Sequence, residues 1–182
     1  MAFRVLYDAN ALFGALQRSI LVRVGVKQAK FNLRVLLTDR ILDEMAGAVQ
    51  GKYPDFSNEQ GESLKQAIKD AIPDCLVDSY DYAIVSVDID DPDDKHVVAA
   101  AIHSSAQLII TNDADFSPSA LEPHSLEAQT PDDFLTDLFD LDLAAVRQIV
   151  NDEAATRDCT AEDLADLLEQ RGLIRFAQHL RR

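Results

Sequence analysis

Cysteine is almost missing from this chain of 182 residues: Cys75 and Cys159 are the only two, far apart and without metal-ligand spacing. A disulfide framework or a thiolate zinc site therefore has no basis, and both residues read as small packing side chains. Long apolar runs are missing too. No stretch approaches the ~18 residues of a membrane span, and the chain opens on a strand-like segment carrying Arg4 and Asp8 where a charged leader would stand. The expectation is a soluble, cytoplasmic protein with no membrane partner. Histidine is sparse, and His96, His103, His124 and His179 show no paired metal spacing, which leaves them surface or packing roles. Positive charge is scarce as well: 17 Lys and Arg stand against 32 Asp and Glu, a net charge of −15. Taken whole, that balance argues against a polyanionic partner, since phosphate binding draws on Lys and Arg.

The distribution of charge softens that exclusion. Residues 1–52 carry eight Lys and Arg against four acids, residues 53–146 three against twenty-one, and residues 147–182 six against seven. Arg18, Arg23, Lys27, Lys30 and Arg34 could form a basic rim beside an acidic centre, with bound cations inverting the local field; an ordinary solvated helix face is the equal alternative. Hydrophobic content of 47% is enough for one good core with some extension.

Apolar runs alternate with helical patterns. Residues 3–8, 33–37, 83–87 and 108–111 read as strands, with 125–129 as an edge strand, and helices fall between them; this predicts a mostly parallel sheet covered on both faces. Residues 9–17 have helical composition, and 19–30 are ambiguous. Thr38 is placed to cap a helix carrying Ile41, Leu42, Met45 and Val49, and Ser57 with Gln60 resembles a capping box for a polar helix that Pro73 ends. Asp91 reads as the cap of a further helix, with Pro92 at its first position and Asp93 and Asp94 in its first turn. Thr130-Pro131-Asp132-Asp133 starts another. Beyond about residue 140 the pattern is wholly helical, with Thr160 and Asp163 capping one helix that stops at Gly172. The expected organisation is residues 1–140 as the main domain and 141–182 as a small helical extension.

Four acids hold the chemistry. Asp8 ends the first apolar strand, Glu44 lies on the Thr38 helix, Asp94 precedes the small-residue run 97–102, and Asp113 follows the strand 108–111. A strand ending in Asp presents its carboxylate at the carboxyl edge of the sheet, where open α/β folds bind ligands. Hard cations such as Mg2+ or Mn2+ take oxygen ligands of this kind, and a metal site of this type suits phosphodiester hydrolysis. Asn10, Thr111 and Asn112 are candidates to order the carboxylates. Asp115 competes with Asp113, and Asp93 with Asp94; Asp43 should face about 100 degrees away from Glu44. Structural alternatives stand beside each acid, as caps, turn residues or solvated helix faces. A calcium loop at Asp88-x-Asp90 lacks the glycine and distal Glu that it needs.

The ordered set Asp8-Ala9-Asn10, Glu44, Asp94 with Val97-Val98-Ala99-Ala100-Ala101, and Thr111-Asn112-Asp113-Ala114-Asp115-Phe116 resembles the PIN-domain family, especially its VapC-like toxin ribonucleases. The resemblance spans residues 3–138, and the tail led by Thr130-Pro131-Asp132-Asp133-Phe134-Leu135 looks like the C-terminal extension of a bacterial subgroup. It implies a three-layer α/β/α fold and an Mg2+- or Mn2+-dependent endoribonuclease of a type II toxin–antitoxin pair. Asp8, Glu44, Asp94 and Asp113 would then be catalytic metal ligands, and cleavage would leave a 5′-phosphate and a 3′-hydroxyl. It further implies RNA as substrate, an antitoxin as partner and pairing into a homodimer. Two alternatives stay open: a PIN-like nuclease of RNA processing or DNA, and a catalytically idle interaction module.

Overall fold

The computed structural model describes residues 2–81, 89 and 91–182. Among these residues four strands, β1 (Phe3–Tyr7), β2 (Leu33–Leu36), β3 (Leu108–Ile110) and β4 (Glu127–Gln129), form one sheet, parallel at each pairing, in the order β2-β1-β3-β4. Parallel strands must be covered on both faces, and the apolar runs meet that demand. Val5, Leu6 and Tyr7 are fully buried, as are all three residues of β3. Backbone bonds from Leu37 N to the Cys75 carbonyl and from Val77 N to the Leu37 carbonyl, both 2.8 Å, add an extended segment beyond β2. The arrangement is a three-layer α/β/α fold. The strand expected over residues 83–87 lies outside the described residues.

Helices fill the connections. After β1 the chain makes a short 3-10 turn, Asn10–Leu12, and Gly14 in an extended conformation separates it from α1 (Ala15–Val26). Residues 9–17 are thus not one helix, and most of the ambiguous stretch 19–30 is helical because Leu16, Ile20, Leu21 and Val24 bury one stripe. Helix α2 (Asp39–Lys52) starts where Thr38 Oγ1 accepts the Ile41 N–H at 3.1 Å, and α3 (Asn58–Ala71) carries the complete Ser57–Gln60 capping box. Helix α4 (Lys95–Ser104) begins three residues later than the Asp91 cap would place it. Asp91 accepts the Asp93 N–H instead, closing a turn over residues 91–94, and Asp94 is the residue that enters the helix. The small side chains of Ala99, Ala100 and Ala101 are fully buried. A short helix α5 (Pro118–Leu121) leads into β4.

The remaining helices are α6 (Pro131–Leu141), α7 (Leu143–Thr156), α8 (Ala161–Gln170) and α9 (Ile174–Leu180). They join the same core. Tyr7 meets Phe134 of α6 edge-on at 6.2 Å and donates its hydroxyl to the Leu21 carbonyl of α1. Glu153 of α7 is buried to 1% exposure, where it accepts from Ser19 Oγ, Arg23 Nε and Arg157 Nε at 2.6–2.7 Å. Burial alone would raise its pKa, but those three donors outweigh it and hold the carboxyl below the usual range. Gly172, at φ +93°, ends α8 in a Schellman turn: Leu173 N bonds the Leu168 carbonyl and Gly172 N that of Glu169. Asp132 of α6 then accepts the Arg175 and Phe176 N–H groups at 2.9 and 2.8 Å, capping α9 from another helix. No helix among the described residues is long and apolar enough to cross a membrane.

Candidate active site

Asp8 leaves β1 at the carboxyl edge of the sheet, and its backbone N–H still pairs with the Ile110 carbonyl at 3.0 Å. The carboxylate is nearly buried, at 5% exposure. Its Oδ1 accepts the Ala9 N–H at 2.6 Å and its Oδ2 the Thr111 hydroxyl at 2.8 Å. Desolvation raises its pKa; the two hydrogen bonds offset part of that, the charge of Glu44 adds to the rise and His96 opposes it. Thr111, next along the neighbouring strand after β3, is the hub of the site. Its hydroxyl also meets Asn10 Nδ2 at 2.9 Å and accepts the Asp113 N–H at 3.0 Å, while Asn10 Oδ1 accepts the Asn112 N–H at 2.8 Å. Asn10, Thr111 and Asn112 therefore form a hydrogen-bonded brace under Asp8 and Asp113.

Asp94 faces this brace from the start of α4. Its pKa is pushed up to about 6, by partial burial first and then by the negative charges of Asp113, Asp8 and Asp91. Carboxylates from three separate stretches thus share one field. Among the described residues, the carboxylates that each offer one oxygen within 4.8 Å of the others are Asp91, Asp94 and Asp115; Asp8, Glu44 and Asp113 are not part of that grouping. Asp113 Oδ1 accepts the Asp115 N–H at 2.9 Å, an Asx turn that carries Asp115 toward Asp94. Both competitors in the 113–115 segment consequently lie near the cluster. An all-carboxylate donor set whose members repel one another fits a hard divalent cation, because the cation relieves the repulsion.

The family match covers the stretch that carries these residues. Residues 4–115 match the family described as "PIN domain", and residues 131–182 match "VapC50 C-terminal domain". The chain belongs to the PIN-domain family. Its VapC-like character is also carried by a relative named "Putative ribonuclease VapC50" from Mycobacterium tuberculosis (strain ATCC 25618 / H37Rv), 41% identical over 58 residues. That alignment covers 31% of this chain and 34% of the relative, so it spans about a third of the relative's length. No solved structure matches the chain.

Glu44, on α2, is near enough to Asp8 for its charge to raise that carboxyl's pKa. Its Oε2 lies 3.0 Å from His96 Nε2 and its Oε1 accepts from Arg40 Nε at 3.0 Å. Burial alone would raise its pKa, but His96 and Arg40 overcome that and lower it. Asp43 turns away and pairs with Lys65 at 2.5 Å. His96 is 2% exposed and its Nδ1 has no hydrogen-bond partner among the described residues. It is a packing residue, as the spacing suggested, yet it is also the group that holds Glu44.

Sequence reasoning passed over Asp91, His96 and Arg40. The signals were present: Asp91 and Asp94 are three apart on one turn, His96 follows Asp94 by two, and Arg40 precedes Glu44 by one helical turn. The basic rim proposed from Arg18, Arg23, Lys27, Lys30 and Arg34 does not form. Arg18 donates to the Leu12 and Phe13 carbonyls, Arg23 and Lys27 pair with Glu153 and Asp152, and Arg34 donates to the Asp74 carbonyl. Lys30 lies before β2, at the opposite edge of the sheet. Packing thus pairs Arg23 and Lys27 with acids and ties Arg18 and Arg34 to backbone carbonyls.

Proposed function

We propose that this PIN domain is an Mg2+- or Mn2+-dependent endoribonuclease and the toxin of a type II toxin–antitoxin pair acting in the cytoplasm. The observation that supports it best is the convergence of Asp91, Asp94 and Asp115, one oxygen of each within 4.8 Å of the others, where burial and then the charges of Asp113, Asp8 and Asp91 push the Asp94 carboxyl up to about 6. Such a site stores carboxylate repulsion that cation capture releases. Asp8, Asp94, Glu44 and Asp113 would hold the ion, although of these Asp94 alone belongs to the described carboxylates that come within 4.8 Å of one another, where Asp91 and Asp115 join it. When bound, a divalent cation lowers the pKa of a water and stabilises charge on phosphate oxygens.

The chain's own residues supply the rest. Thr111 fixes the rotamer of Asp8 and holds the Asp113 N–H, and Asn10 locks Thr111 and the Asn112 N–H. His96 and Arg40 hold Glu44 toward the cluster in its ionised form. In hydrolysis a water oxygen bonds to phosphorus as the bond to the 3′ oxygen breaks; the water's proton passes to the acidic cluster, and the departing 3′ oxygen takes a proton back from the cluster or from solvent to leave as a hydroxyl. An antitoxin would block the site by seating an arginine among the carboxylates in place of the cation, using bidentate pairing. Residues 1–140 would form the nuclease unit and 141–182 its extension.

Purified Asp8→Asn and Asp94→Asn proteins test this reading. Each should keep the native circular dichroism spectrum and lose Mn2+-stimulated cleavage of RNA. Cleavage at the wild-type rate by either one overturns the assignment.

A further inference from the structure

In a chain of net charge −15 most cations are consumed internally, by Glu153, Asp152, Asp39, Asp43, Glu44, Asp166 and backbone carbonyls. Lys52 and Arg171 are not, and they differ from Lys30, Lys95 and Arg147 in meeting at one place. Both are exposed, neither side chain makes an ion pair among the described residues, and the two converge on one cleft of about 220 Å³ with Asn10, Asn112, Phe13 and Gly14. They come from distant parts of the chain. Lys52 is the last residue of α2, and Arg171 stands where α8 meets the Schellman turn of Gly172.

Resting on the hydrolase reading, we propose that Lys52 and Arg171 form a subsite that grips one phosphate of a single-stranded RNA beside the acidic centre. Three features carry this. The Lys52 ammonium is held 5.1 Å from the Phe13 ring centroid and 5.9 Å from that of Tyr53, so aromatic faces position it without neutralising it. Asn10 and Asn112 line the cleft and belong to the brace beneath Asp8, so an anion held here is next to the carboxylate cluster. The first turn of α1, whose cap Gly14 offers no side chain, opens on the same space and adds the positive end of its dipole. The cleft is smaller than the ~300–1,000 Å³ pockets that enclose drug-sized ligands, which suits one phosphate of a passing strand and not an enclosed nucleotide. The C-terminal extension thereby acquires a role: it delivers Arg171 to the substrate path.

Fluorescence anisotropy of a labelled single-stranded RNA, titrated with the full-length Asp94→Asn protein in Mg2+ across a range of salt, measures this binding without turnover. Adding Lys52→Gln and Arg171→Gln should weaken binding about ten-fold and flatten the slope of log K against log salt by about 0.7, the value for one neutralised phosphate of a single strand. Lys52→Arg with Arg171→Lys, which keeps both charges, should retain most of the affinity. Lys30→Gln with Arg147→Gln, both exposed, removes the same net charge from the opposite sheet edge and from α7, and should change binding by less than about three-fold. Equal losses in the two Gln pairs, or an unchanged salt slope in the first, overturn the subsite. Mn2+-dependent cleavage by the protein with Asp94 intact separates the two readings. Cleavage with no effect of the Lys52 and Arg171 changes on binding sinks the subsite alone, whereas the expected binding pattern without cleavage keeps the subsite and sinks the hydrolase.

Discussion

Replacing Asp94 with Asn should stabilise the metal-free protein while destroying its activity. In the folded chain the Asp94 pKa rises from 3.8 to about 6, through partial burial and the charges of Asp113, Asp8 and Asp91. A pKa raised in the folded state means that stability falls as pH climbs from the unfolded value, near 4, through about 6, because ionisation is resisted only in the fold. Roughly two pKa units at ~1.4 kcal/mol each set a ceiling of about 3 kcal/mol; Asp94 is partly open to solvent, whose screening reduces this to about 1 kcal/mol. For a chain of this size that is about 2–4 °C in Tm. Thermal unfolding in EDTA near pH 8 should show Asp94→Asn melting higher than wild type by that amount, and near pH 4 the difference should vanish because the wild-type carboxyl is protonated. Adding Mg2+ should reverse the order, since a ligand that binds only the fold at 100 times its Kd adds about 2.7 kcal/mol to wild type. A variant that melts below wild type in EDTA near pH 8, or a gain that persists near pH 4, refutes the repulsive cluster.

Thr111→Val removes the hydroxyl that donates to Asp8 Oδ2 at 2.8 Å, and should weaken Mn2+ binding about 10–100-fold by calorimetry while the fold persists. His96→Leu frees Glu44 from its 3.0 Å partner and also deletes an unsatisfied buried Nδ1, so RNA cleavage should fall with no loss of urea stability. Glu153→Gln should lower stability by about 1–3 kcal/mol near pH 7 in urea titrations. The Glu153 pKa is depressed in the fold, so its contribution is present above the unfolded value of about 4.3 and is lost as pH falls below it; the difference between Gln and wild type should shrink in acid.

The strands and caps were legible because their causes are local. Leu108-Ile109-Ile110 needs only burial, Thr38 and Thr160 need only a hydroxyl before a helix, and Gly172 needs only its positive φ. Asp8 was legible for the same reason, as a carboxylate tied to the end of an apolar strand. Asp91 was misread because the same residue types serve a helix cap and the turn before a helix, and only tertiary packing decides between them. The fate of the basic residues was invisible for a different reason. Nothing near Arg23 in sequence points to Glu153, 130 positions away, which absorbs its charge. Lys52 and Arg171 escaped notice equally, since their meeting depends on where α8 ends against the rest of the molecule.

Because the cap of α9 is Asp132, a side chain embedded in α6, the tail cannot be treated as a detachable accessory. Shortening the gene after α6 would strip from Phe139 the edge-on cover of His179 and remove the buried Leu164, Leu168 and Phe176 from the common core, so the truncated polypeptide should clump before anyone could ask what it cuts.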